Sequence, residues 1–202
     1  MRPWNIVKIG AVAGMAVMMG MAPGLAATPT DAAAIRIDTL DRALVTVAHA
    51  HTARERIGIL APVVAQTFNF AVMARYVVGA PFARMSRADQ DAVSGAFARY
   101  MTARLAQEFS DVSDGAIGID PAVQVRGADK VVRTTIAQGT DAPDRLDYRM
   151  RQYGDAWRVI DIFYNGVSEL TTQRADLAST IATGSAVALV ARIDAATARL
   201  SR

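Results

Sequence analysis

"RLDYRMRQYGDAWRVIDIFYNGVSEL", residues 145–170, holds two stretches of period-two alternation joined by Gly-Asp-Ala and closed by Asn-Gly. Successive side chains of an extended chain point to opposite faces. Leu146, Tyr148 and Met150 therefore share one face of the first stretch, and Arg145, Asp147, Arg149 and Arg151 the other. This is the pattern of a strand with one apolar and one solvated face. The second stretch is apolar in both rows: Trp157, Val159 and Phe163 in one, Ile160, Ile162 and Tyr164 in the other. Asp161 falls in the Trp157 row, so regular alternation predicts that the Ile160 row faces the interior. "NGVSEL" reads as a tight turn leading to a helix capped by Ser168.

Upstream, "KVVRTTIAQ" (130–138) and "AVQVR" (122–126) carry the same period. The connections "GAD", "GTDAPD" and "GDA" are short enough for antiparallel hairpins, which predicts a four-stranded meander. Before residue 110 the period is helical. Ile35, Leu40, Leu44 and Val47 mark one amphipathic helix, and residues 54–68 a second that restarts at Pro62. Phe70, Met73, Tyr76 and Val77 mark a third, ended by Gly79 and Pro81. Ser86 with Asp89 resembles a capping box at the head of a long helix whose Val93, Phe97, Met101, Leu105 and Phe109 form an apolar stripe. Two more helices follow the sheet, broken at Gly184–Ser185. Helices, meander, helices is an α+β order, with helices packed on one face of an antiparallel sheet and an apolar interior between them.

The first 26 residues read differently. Arg2 and Lys8 precede the apolar "IGAVAGMAVMMGMA" (9–22), and "PGLAA" follows, the layout of a secretory signal peptide. The run is about 14 residues, shorter than the roughly 20 a spanning helix needs. The expected mature chain, residues 27–202, is a single exported domain. Removal of residues 1–26 takes two of the 22 basic residues and none of the 19 acidic ones, and the near balance left in the mature chain argues against nucleic-acid binding. The chain has no cysteine, so disulfides and thiol chemistry are excluded.

Catalytic signals are thin. His49 and His51 are the two histidines; two apart on a helix, they point in different directions and lack further ligands nearby, so no metal site is expected. Gly-x-Ser-x-Gly, Walker and zinc-protease motifs are absent from the sequence. A curved sheet with helices can also host an acid–base site of the ketosteroid-isomerase kind, for which Asp161, Asp147, Tyr148 and Tyr164 are the candidates. Pairing of the carboxylates with the neighbouring arginines is the simpler account, and no enzyme activity is expected. A structural protein-binding module is the third alternative.

"FNFAVMARYVVG" (68–79), "SRADQDAVSGAFARYMTARLAQEF" (86–109) and "WRVIDIFYNGVSELTTQRADLASTIATGSAVALVARI" (157–193) resemble the MlaC family of periplasmic phospholipid-binding, or toluene-tolerance auxiliary, proteins. Trp157, Asp161, Gly166–Val167–Ser168, Arg174 and Gly184 form the most specific block, and "AFARY" and "VSEL" lean toward the hopanoid-associated HpnM branch. Asn69, Pro81–Phe82 and Leu177 depart from the family pattern. The resemblance implies an α+β fold, NTF2-like in outline, around an apolar cavity. It implies a monomeric periplasmic carrier that takes phospholipid or hopanoid as cargo, without other cofactor, and shuttles it between inner and outer membranes. The implied partners are an inner-membrane ABC transporter with its lipid-binding hexamer and an outer-membrane lipoprotein complex. Under this reading Phe70, Met73, Val77, Phe97, Met101 and Leu105 on helices face Val132, Ile136, Leu146, Tyr148, Met150, Ile160, Ile162 and Tyr164 on the sheet, and together these residues hold the lipid.

Overall fold

The computed structural model describes residues 29–137 and 142–201. The signal-peptide reading of residues 1–26 lies outside the described residues, as does the first half of the "GTDAPD" connection. Helices α1 (Ala32–Ala48), α2 (Ala53–Thr67), α3 (Phe70–Val78), α4 (Ala80–Arg84) and α5 (Arg87–Glu108) precede the sheet. Strands β1 (Ile117–Ile119), β2 (Gln124–Arg126), β3 (Asp129–Ile136), β4 (Asp144–Tyr153), β5 (Ala156–Tyr164) and β6 (Val167–Ser168) build it, and helices α6 (Glu169–Ala182) and α7 (Ala186–Leu200) complete the chain. The fold is α+β with an open antiparallel sheet.

The expected four strands are β2 to β5, and two short ones join them. β1 and β2 lie end to end along one edge of β3, with Ile117 opposite Ile136 and Gln124 opposite Val131. β6 pairs with the end of β5 through a turn at Asn165 and Gly166, whose φ values of 46° and 86° are the left-handed pair an Asn-Gly hairpin requires. The elements are too short, at three and two residues, to show a period.

Regular alternation fails at one position in β5. Arg149 pairs with Asp161 but Met150 pairs with Val159, so Ile160 is left over as a β-bulge. The extra residue reverses the parity of the strand. Trp157 and Val159 thus share a face with Ile162 and Tyr164, and Ile160 falls on the other side, which corrects the row assignment made from alternation alone.

The helices follow their sequence signals with three differences. Pro62 lies inside an unbroken α2, not at a restart. Phe68 is extended and bridges to Val159, Asn69 donates to the Val159 carbonyl at 2.9 Å, and α3 begins only after that. Asn69 is the N-cap, its side-chain oxygen accepting from the Val72 N–H at 3.2 Å. Pro81 opens the short α4 instead of preventing one, in the first turn where its missing N–H costs nothing. Between α3 and α4, Gly79 has φ 72°, and a Cβ there would meet the Arg174 guanidinium at 3.1 Å. That guanidinium donates to the Tyr76 carbonyl at 3.2 Å, satisfying the end of α3. Ser86, Ser168 and Ser185 each accept from the N–H three residues on, as their sequence context predicts.

α1, α2, α3 and α6 lie against the strands, α5 packs on α2 and α3, and α7 covers α5 on the side away from the sheet. The core runs through all three layers.

Candidate functional site

The inner face of the sheet is a ladder of aligned apolar rows. Val132, Tyr148 and Ile162 stand opposite one another across β3, β4 and β5, and Met150 stands opposite Val159. All are inaccessible to solvent. From the helices, Ile37, Leu40, Leu44 and Val47 of α1 and Met73 and Val77 of α3 join the same apolar body, as do Phe97, Met101 and Leu105 of α5. Ile37 takes the place expected for Ile35, which is exposed, and Tyr76 turns outward as well.

Of the residues named from sequence for the lining, Met73, Val77, Phe97, Met101, Leu105, Val132, Ile136, Leu146, Tyr148, Met150 and Ile162 are brought together in this one body. Phe70 and Tyr164 are half-buried against its margin. Ile160 is buried outside it, beyond the bulge. Val159 and Trp157, which alternation had assigned outward, belong on the inner side.

An open cavity of about 290 Å³ lies between α2, α3, α5 and α7. Ile57, Ala61, Val64 and Phe70 form its apolar wall, and Ala98 and Ala103 give it room on the α5 side. Among the residues named from sequence, Phe70 alone lines it. At its rim Arg99 donates to Asp194 from Nη2 at 2.8 Å and from Nε at 3.1 Å, and joins α5 to α7. The sequence signal for this space was the run of small residues on facing helices, which periodicity read as ordinary packing.

The outer face of the sheet is charged and internally paired. Asp129, almost wholly buried, receives Arg149 at 2.6 Å and Arg151 at 2.6 Å. Burial pushes its pKa up, but the two arginines outweigh that and hold it below the usual carboxylate range. Asp161 faces the same side, yet its partners are not arginines. Its oxygens accept from the Ser168 hydroxyl at 2.8 Å, the Ile162 N–H at 2.8 Å and the Leu170 N–H at 3.5 Å, so it anchors the first turn of α6. Burial nonetheless raises its pKa.

The four residues considered for acid–base chemistry are split by the sheet. Asp147, paired with Arg145 at 2.8 Å, and Asp161 lie on the outer face, whereas Tyr148 and Tyr164 lie on the inner one. His49 is an exposed helix-end residue beside Asp114 at 3.1 Å. Among the described residues no cluster of three or more His, Cys, Asp or Glu is arranged to hold a metal ion.

Two polar groupings sit inside the apolar body, and sequence reading passed over both. Arg104 of α5 bonds to Glu169 of α6, with both side chains nearly inaccessible. Gln173 donates to Glu169 at 2.6 Å and to the Tyr100 hydroxyl at 3.2 Å. Glu108, one turn beyond Arg104, has its pKa raised to about 7 by burial and by the charges of Glu169 and Asp111, against the pull of Arg104. The second grouping is Asp41 of α1 with Tyr148 of β4. Neither Asp41 oxygen nor the Tyr148 hydroxyl has a hydrogen-bond partner. Burial first, then the nearby Asp38 charge, pushes the Asp41 pKa far above the carboxylate range. Burial and Asp41 likewise raise the Tyr148 pKa, so the surroundings favour the neutral, O–H-bearing form of both groups.

With this architecture in view, the comparisons with known proteins agree. The pattern of the MlaC protein family matches residues 38–195. The chain belongs to the MlaC family. Its fold is similar to that of the phospholipid-binding protein from Ralstonia solanacearum, solved in complex with a phospholipid. The TM-score is 0.72 at 19% identity, covering 85% of this chain and all of that one. No curated protein matches the chain at a significant level. Among the described residues no helix is long and apolar enough to cross a membrane.

Proposed function

We propose that residues 27–202 form a single-domain, monomeric periplasmic carrier that takes the acyl chains of a lipid between its sheet and helices. In this reading the cargo is a phospholipid or a hopanoid, moved between inner and outer membranes without catalysis. The exporting segment is residues 1–26. The docking partners are an inner-membrane ABC transporter with its lipid-binding hexamer and an outer-membrane lipoprotein complex.

The observation that carries the proposal is the apolar body itself, continuous from the sheet rows through α1 and α3 to α5, with an open apolar cavity beside it. Each methylene left in water costs about 0.8 kcal/mol, so a lipid with about 30 methylenes would face about 24 kcal/mol free in solution. A carrier must therefore enclose its cargo. Transfer from bilayer to protein interior then exchanges one apolar surrounding for another and needs no energy source in the carrier. At about 290 Å³ the cavity between the helices stands just below the ~300–1,000 Å³ typical of ligand pockets, so chains held against the sheet rows require the helices to part from the sheet as well. The likeness to a phospholipid-bound fold and the family membership support the same reading.

Gentle purification followed by native mass spectrometry and lipid extraction tests it. The expected result is a stoichiometric two-chain lipid or triterpenoid. A protein that purifies empty and takes up neither from vesicles overturns the proposal. Met101→Glu and Ile162→Glu are expected to lower lipid content while the remaining protein keeps its secondary structure.

A further inference from the structure

Asp41 and Tyr148 place a carboxyl and a phenol among the hydrocarbon side chains between α1 and the sheet. Asp41 lies on the face of α1 that carries Ile37, Leu40 and Leu44 against the strands, and Tyr148 stands at the centre of the inner row, between Val132 and Ile162. Three other buried acids of this protein have partners: Asp129 has two arginines, Asp161 a helix N-terminus, Glu169 an arginine and a glutamine. A buried hydroxyl or carboxyl without a partner is disfavoured. Here two face the same layer, with three oxygen atoms unpaired between them.

The chemistry of the pair defines what would satisfy it. Asp41 is buried, and among the described residues neither of its oxygens meets a cation or any other hydrogen-bond partner, while the nearby Asp38 is of like sign, so the protonated carboxyl is the favoured form. A carboxylic acid and a phenol each present one O–H. A carbonyl oxygen has two lone pairs and no proton of its own, so it accepts from both at once. The same combination, a tyrosine and a carboxylic acid kept neutral by apolar walls, grips a carbonyl oxygen in ketosteroid isomerase.

We propose that Asp41 and Tyr148 form a two-donor clamp for an ester carbonyl of the bound lipid, filled when α1 and the sheet part to admit the chains. The clamp rests on the lipid-carrier reading and deepens it: it selects ester-linked chains and fixes how far the glycerol end enters.

The test compares two lipids that differ only in that oxygen. Delipidated protein is incubated with vesicles of dipalmitoyl phosphatidylglycerol or of its ether-linked dihexadecyl counterpart, and protein-bound lipid is extracted and weighed by mass spectrometry. The protein should take up the ester lipid about tenfold better than the ether lipid. Asp41→Leu and Tyr148→Phe should each bring the ratio of ester to ether uptake down to about one. Asp41→Asn, which keeps an N–H donor, should retain most of the preference. Thermal unfolding of each variant establishes that it is folded. Equal uptake of both lipids by the unsubstituted protein, or a preference that survives both substitutions, overturns the clamp and leaves the carrier standing. Uptake of neither lipid overturns the clamp and the phospholipid form of the carrier reading together.

Discussion

Asp31 and Lys130 tie the entry of the first helix to the sheet through a single carboxylate. One Asp31 oxygen accepts from the Ala33 N–H at 2.8 Å and caps α1; the other receives the Lys130 ammonium at 2.5 Å. The ammonium also sits 4.6 Å from the centre of the Trp157 ring, on the inner side of β5. Asp31→Ala removes a cap and an ion pair together, and is expected to cost about 1–2 kcal/mol. Burial opposes ionisation of Asp31, but Lys130 and the Ala33 N–H hold its pKa below the ordinary value. Its contribution is therefore present above the unfolded-state pKa and lost as pH falls through the lowered folded one. Urea unfolding at neutral and strongly acidic pH should show the gap between the two proteins closing in acid; a constant gap would refute the linkage.

Asp41 has the opposite sign. Its folded pKa is raised, so the folded state gains nothing from it above the unfolded pKa, and stability declines as pH climbs toward the folded value. Asp41→Leu should stabilise the lipid-free protein by about 1–3 kcal/mol at neutral pH. Calorimetry at neutral pH checks it, and a destabilised variant would mean that the carboxyl has a partner in the lipid-free protein.

The Arg104–Glu169 bridge should behave as a buried pair does. Arg104→Ala leaves the Glu169 charge among apolar side chains and is expected to cost about 3–5 kcal/mol, while Arg104→Met with Glu169→Leu should recover most of that. A double-mutant cycle by denaturant unfolding reads the coupling; additive losses would show that the two side chains act separately.

Glu108 supplies a signature near neutrality. With its folded pKa raised from 4.5 to about 7, the protein should lose stability as pH rises through that window. Solvent screening of this half-buried group limits the loss to about 1–2 kcal/mol. Glu108→Gln should flatten the melting-temperature profile between those pH values, and an unaltered profile would assign the slope elsewhere.

Much of this was legible in the sequence because local rules decided it. Period-two alternation located β3, β4 and β5, and serine caps located the starts of α5, α6 and α7. The Asn-Gly pair located the β5–β6 turn. What escaped depends on tertiary context. A one-residue bulge changes no composition, so Ile160 was read in phase with Ile162. Pro62 stays helical because the rest of α2 is held by its neighbours α1 and α5. Asp41 carries no sequence signal for burial beyond its place, one residue after Leu40 and one helical turn before Leu44. The helix-lined cavity was invisible because alanines fill and empty space with the same pattern.

The bulge lets β5 speak in two registers at once. Upstream of Ile160 the odd-numbered residues look toward the helices; downstream the even-numbered ones do. Asp161, next to the slip, is thereby released to the far side, where it receives Ser168 and Leu170. A strand without the slip would face a choice. Either Trp157 and Val159 would turn out among the arginines, or Asp161 would be driven into hydrocarbon. One surplus isoleucine spares the protein both outcomes, and it makes the apolar interior and the seat of α6 products of the same nine residues.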